Sequence, residues 1–181
     1  MSWNPDEFVS CARYGDADAI CDLLYQQCQV SDLSTIPSHQ LRLYMISKNA
    51  SGQTALHMAA ANGHAHVLQL ITPHLSPSEV NLGNADGSTA LHWASLNGHL
   101  PCVEILLEHG ADATLKNASG RSALTLAEQQ SHLEVAQILL KSFDPEEESD
   151  EEEQDEHDTT YSIDSNGNIT TARAEPEQVS R

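Results

Sequence analysis

A thirteen-residue block recurs along this chain, and the recurrence constrains the fold more than any other feature. Gly52-Gln53-Thr54-Ala55-Leu56-His57-Met58-Ala59-Ala60-Ala61-Asn62-Gly63-His64 returns 35 residues later as Gly87-Ser88-Thr89-Ala90-Leu91-His92-Trp93-Ala94-Ser95-Leu96-Asn97-Gly98-His99. It returns again 33 residues further on, altered at several positions, as Gly120-Arg121-Ser122-Ala123-Leu124-Thr125-Leu126-Ala127-Glu128-Gln129-Gln130-Ser131-His132. A unit this short cannot bury its own apolar face, so the copies must stack into one continuous core. Each residue type in the block has a mechanical reason. The opening glycine permits a tight turn. Thr54, Thr89 and Ser122 can cap a first helix through their hydroxyls. The Leu and Ala positions form its buried stripe, and Gly63 and Gly98 end it in a left-handed turn. Second helices follow, with apolar stripes at Val67, Leu68, Leu70 and Ile71, at Val103, Ile105, Leu106 and Leu107, and at Val135, Ile138, Leu139 and Leu140. Pro101 falls in the first turn of its helix, where a missing N–H costs little.

The N-terminal stretch reads as a disguised copy of the same unit. A helix beginning at Asn4-Pro5 carries Phe8, Val9 and Ala12, Gly15-Asp16 turns the chain, and Ala19, Ile20, Leu23 and Leu24 give a second stripe. About 15 residues are inserted before the next copy, near Gln29–Lys48, including Leu41, Leu43, Tyr44 and Met45. Hydrophobic residues make up 39% of the chain but aromatics only 4%, which favours stacked helices over a β-sandwich. The block and its period resemble the ankyrin repeat, a turn plus two helices about 33 residues long. Where that family usually has Pro after the Thr, this chain has Ala55, Ala90 and Ala123. The resemblance implies an all-α ankyrin-repeat solenoid over residues 1–141, with about four helix-turn-helix repeats at roughly 5–48, 49–83, 84–116 and 117–141.

The same resemblance assigns roles to individual residues. His57 and His92 occupy the motif's own histidine position, and His64, His99 and His132 the place after the turn, where the family's histidines support turns by hydrogen bonding. Met58 and Trp93 share a position that usually packs inward between repeats. The family's variable partner-binding positions fall on Ala50, Ser51 and Gln53 with Ala61 and Asn62; on Ala85, Asp86 and Ser88 with Leu96 and Asn97; and on Ser119 and Arg121 with Gln129 and Gln130. Leu96, a leucine where polar residues are usual, suggests an apolar groove that an amphipathic helix would fit.

Charge divides the chain unevenly. Of the net −19, residues 1–141 carry −7 and residues 142–181 carry −12. Asp144 to Asp158 holds eleven acids and no Lys or Arg, among them Glu146, Glu147, Glu148, Asp150, Glu151, Glu152 and Glu153. Such a run cannot bury enough apolar surface to offset its ordering entropy, so residues 142–181 are expected to form a disordered acidic tail. Ser149, followed by Asp150-Glu151-Glu152, fits an acidophilic kinase target. Tyr161 to Thr170 contains the Asn166-Gly167 pair of a hairpin, but an isolated hairpin is at best marginal in water and is expected to stay disordered unless bound. This surface repels nucleic acid and anionic membranes and suits a basic protein. No apolar run is long enough to span a membrane, and the N-terminus lacks the basic start and apolar stretch of a signal peptide, so a cytoplasmic and nuclear location is expected. There the Asn-x-Ser/Thr triplets at Asn49, Asn117 and Asn168 would meet no glycosylation enzyme. Cys11, Cys21, Cys28 and Cys102 show no Cys-x-x-Cys spacing and read as small buried hydrophobes.

The histidines show no zinc-site spacing, and no phosphate loop, nucleophile elbow or His-Glu-x-x-His motif occurs. Neither a cofactor, a metal nor an enzymatic activity is expected. Residues 51–107, with Met58-Ala59-Ala60-Ala61-Asn62-Gly63 and Trp93-Ala94-Ser95-Leu96-Asn97-Gly98, resemble the fungal ankyrin-repeat chaperones dedicated to one small-subunit ribosomal protein, number three in its series. That resemblance implies a monomer that takes a basic client protein, holds it soluble and escorts it to small-subunit assembly. The competing expectation is a regulatory ankyrin adaptor or inhibitor that docks on a signalling enzyme or transcription factor.

Overall fold

The computed structural model describes residues 3–28, 38–143, 161–163 and 169–171. The chain divides into two compact units, Met1–Glu146 and Glu147–Arg181. Among the described residues of the first, ten helices run in order: α1 (Pro5–Tyr14), α2 (Ala17–Cys28), α3 (Ser38–Met45), α4 (Ala55–Asn62), α5 (Ala65–Ile71), α6 (Pro77–Val80), α7 (Ala90–Leu96), α8 (Leu100–Glu108), α9 (Ala123–Gln129) and α10 (Leu133–Phe143). A 3-10 turn, Thr72–His74, follows α5.

Local signals place the helices where the repeat predicts them. Asn4 caps α1, its Oδ1 accepting the Asp6 N–H at 3.2 Å, and Pro5 opens the first turn. Thr54, Thr89 and Ser122 are the N-caps of α4, α7 and α9. Gly63 and Gly98 follow the first two of these helices in the left-handed conformation. The first helices, α1, α4, α7 and α9, pack side by side in one row, and α2, α5, α8 and α10 form a second row behind them. Between the rows lie the fully buried side chains Phe8, Ile20, Leu24, Leu68, Ile71, Leu91, Leu106 and Leu139. Ala55, Ala59, Ala90, Ala94, Ala123 and Ala127 are buried along the first row, where a methyl lets neighbouring helices approach closely.

Three asparagines shape the turns that precede α4, α7 and α9. Asn49 Oδ1 accepts the N–H groups of Ser51 and Gln53 at 3.0 and 2.9 Å. Asn84 does the same for Asp86 and Ser88, and Asn117 for Ser119 and Arg121. These are Asx turns, in which a side-chain carbonyl stands in for a backbone acceptor. Asn49 and Asn117 are therefore turn residues with their carbonyls committed.

The insertion between the first two repeats carries a helix of its own, α3. Leu41 and Met45 are buried on its inner face, a burial worth about 1.5–3 kcal/mol each. Arg42 forks onto Glu79 of α6, with nitrogen–oxygen distances of 2.8 to 3.1 Å. Trp3 lies 4.5 Å from the Tyr44 ring and 5.2 Å from the Phe8 ring, tying α3 to α1. Of the four cysteines only Cys102 is fully buried; Cys11, Cys21 and Cys28 are half-buried, because α1 and α2 belong to the end repeat and are covered less completely.

The acidic run 144–158, with Ser149, lies outside the described residues, so its expected disorder does too. In the second unit, Tyr161–Ile163 (β1) pairs antiparallel with Ile169–Thr171 (β2), Tyr161 facing Thr171 and Ile163 facing Ile169. These strands flank the Asn166-Gly167 pair that marks the hairpin in the sequence.

Candidate functional site

The histidines are consumed by the architecture. His57 Nδ1 accepts the Thr54 N–H at 3.2 Å, and this fixes its tautomer so that Nε2 donates to the Ser88 carbonyl of the next turn at 2.9 Å. His92 repeats the arrangement with Thr89 and the Arg121 carbonyl. Burial pushes the His57 pKa down to about 4, opposed by the bond to Ser88. Burial likewise lowers that of His92. Behind the first row the links run the other way, His64 reaching the Arg13 carbonyl at 2.9 Å and His99 the Ala61 carbonyl at 3.2 Å. In the last repeat Thr125 replaces the buried histidine, and no further repeat turn follows it among the described residues. Among the described residues no His, Cys, Asp or Glu side chains cluster as a metal would require. Burial raises the cysteine thiols, that of Cys102 to about 11, which leaves them poor nucleophiles.

What remains for function is the face formed by the turn tips and the first row of helices. Two pockets lie on it among the described residues. The first, about 290 Å³, is lined by Asp6, Val9, Ser10 and Arg13 of α1, by Asn49, Ser51 and Gln53 of the second turn, and by Met58 of α4. The second, about 280 Å³, lies between the third and fourth turns. Asp86, Ser88, Ser119 and Arg121 line its rim, and Trp93, Leu96 and Leu126 its apolar wall. Both volumes lie at the lower edge of the roughly 300–1,000 Å³ of small-molecule sites.

The expected contact residues thus separate into three groups. Asp86, Ser88, Leu96 and Arg121 come together in the second pocket, and Ser51 and Gln53 join the first. Ala61, Asn62, Asn97, Gln129 and Gln130 line neither. They sit at the C-terminal ends of α4, α7 and α9, where several serve the scaffold. Asn97 Nδ2 donates to the Ala61 carbonyl at 2.7 Å, bridging two repeats, and Asn62 Nδ2 to the Met58 carbonyl at 2.8 Å. Met58 is buried as expected at 5% exposure, but Trp93 at the same motif position is only half-buried. Its indole forms a wall of the second pocket, with the N–H sealed from water and unpartnered. The α1 residues of the first pocket escaped the sequence reading. The α1 stripe had marked that helix as a first-row helix, so the same contact positions could have been carried onto it.

A family model described as ankyrin repeats in three copies matches residues 8–117 and 70–155. Comparison with curated proteins finds no match. The paired helices, the turn-supporting histidines and a match over more than half the chain agree, and the chain belongs to the ankyrin-repeat proteins, whose repeats are modules for binding other proteins.

Proposed function

We propose that the chain is a chaperone that binds a newly made basic protein, one small-subunit ribosomal protein, keeps it soluble in the cytoplasm and nucleus and delivers it to ribosome assembly. The observation that carries the reading is a docking face whose pocket has an apolar wall, in the same chain as 14 acids and only 2 bases over residues 142–181. A free ribosomal protein is strongly basic and sticks to RNA or aggregates. A groove that grips one helical segment while a polyanion offsets the remaining charge meets both hazards. The likeness of residues 51–107 to the fungal ribosomal-protein chaperones supports the same choice of client. No enzyme family matches the chain, in keeping with a non-catalytic scaffold. The test is purification of the tagged protein from its own cells at low salt, with mass spectrometry of what co-elutes. One basic ribosomal protein near equal stoichiometry, free of RNA and of other ribosomal proteins, is the expected result. A signalling enzyme or transcription factor in its place would overturn the chaperone reading.

A further inference from the structure

Basic side chains are scarce in this chain, 8 against 27 acids, yet each pocket of the docking face contains one arginine. Arg42 is spent on its ion pair with Glu79. Arg13 in the first pocket has no such partner among the described residues, and the Arg121 guanidinium in the second makes one long hydrogen bond, at 3.5 Å, to Gln129 Oε1. A face that merely attracted a cationic chain would gain nothing from either, since a guanidinium repels a basic partner at close range. Placed in a binding pocket, a repulsive element selects among partners.

The second pocket also has an order. Asp86 stands on the third turn, exposed, its backbone held by Asn84 Oδ1 at 2.9 Å. Trp93 and Leu96 of α7 with Leu126 of α9 form the apolar middle. Arg121 stands one repeat further on, its backbone held by Asn117. We propose that this pocket reads a three-part element on one helical segment of the basic partner: a Lys or Arg against Asp86, an apolar side chain on the Trp93–Leu96–Leu126 wall, and an Asp or Glu paired with Arg121. Packed helices lie about 8–10 Å apart, so the two rim charges are separated by about the rise of five to seven helical residues. The element is therefore a cation at position i, an apolar residue at i+3 or i+4 and a carboxylate at i+7, or the reverse order. Which of the two holds fixes the direction in which the segment lies across the repeats. The inference rests on the reading of this face as a docking surface, and not on the identity of the client.

Selection of helical peptides from a displayed random library tests it, run on full-length wild-type protein and on the D86R/R121D double variant. Wild type is expected to enrich peptides with one charge order around an apolar centre, and the double variant peptides with that order reversed. A wild-type-selected peptide should bind the double variant at least about tenfold more weakly, with binding restored by exchanging its two charges. Peptides bound equally by both proteins, without charge order, overturn the inference and leave the docking surface standing. Peptides unaffected by Leu96→Ala as well bind elsewhere, and overturn the docking surface too. Circular dichroism verifies that the variants fold; Asp86→Asn and Arg121→Gln, which remove charge without reversing it, serve if the double variant does not.

Discussion

Ser131 is the one non-glycine residue with a positive φ among the described residues, at 62°. It occupies the place that Gly63 and Gly98 hold in the two preceding repeats. Two demands make that place a glycine. One is the left-handed backbone, which costs an L-residue roughly 1–2 kcal/mol. The other is the following repeat, whose histidine ring lies on the glycine. A Cβ built on Gly98 would meet His132 Nδ1 at 2.5 Å, and one on Gly63 would meet His99 Nδ1 at 2.8 Å. Among the described residues no further repeat lays a ring on the Ser131 turn, so the second demand lapses and only the backbone strain remains. The Ser131 hydroxyl makes no hydrogen bond that would hold it there. Ser131→Gly should relieve the strain, less about 0.4–1 kcal/mol for the freer unfolded chain. The net gain is about 0.5–1 kcal/mol, or roughly 2–4 °C in Tm for a domain of this size. Urea unfolding followed by circular dichroism measures it. Gly98→Ser, which meets both demands at once, should cost about 2–4 kcal/mol. An unchanged or lower stability for Ser131→Gly, or similar effects at both sites, would refute the argument.

His57→Gln, which cannot reproduce both the Thr54 and the Ser88 bonds, should cost about 2–4 kcal/mol and loosen the contact between the second and third repeats, read as faster amide exchange in both. Because His57 is held neutral with a pKa of about 4, against about 6.5 when unfolded, the unfolded chain binds the extra proton between those values. Stability is then full above about pH 6.5 and falls as pH drops toward 4; His92 acts in the same direction, and His57→Gln should flatten the slope in a Tm-against-pH series. Burial raises the Glu79 carboxyl but hydrogen bonds from Arg42 and Ser76 outweigh it and hold it low, so Arg42→Ala should cost about 0.5–1 kcal/mol and expose the segment around α3 to limited proteolysis. Deleting residues 147–181 should abolish solubilisation of a basic client and remove most of the salt dependence of binding measured between 50 and 500 mM salt, on the order of a tenfold change or more; affinity indifferent to salt in the full chain would refute the electrostatic part of the proposed function.

The repeat was legible in the residues because its signals are local. A threonine cap, a glycine after the helix and a proline in the first turn each act within a few residues of chain, and the apolar stripes of α4, α7 and α9 recur at an almost fixed period. Even the disguised first copy could be read, since Phe8, Val9 and Ala12 keep the stripe of α1 without the motif. Position on the docking face was less legible. Asp86 and Arg121 were marked as contact positions, but that they share one pocket depends on the third and fourth turns lying side by side. Trp93 and Met58 occupy one motif position and differ in burial, because the space behind it is set by neighbouring helices. Asn97, marked as a contact position, also bridges to the Ala61 carbonyl, a role its local sequence does not carry. Tertiary packing alone decided these: a hydrogen bond or a pocket wall between residues some 30 positions apart exists only once the repeats stack, and nothing in the local sequence of either partner carries it.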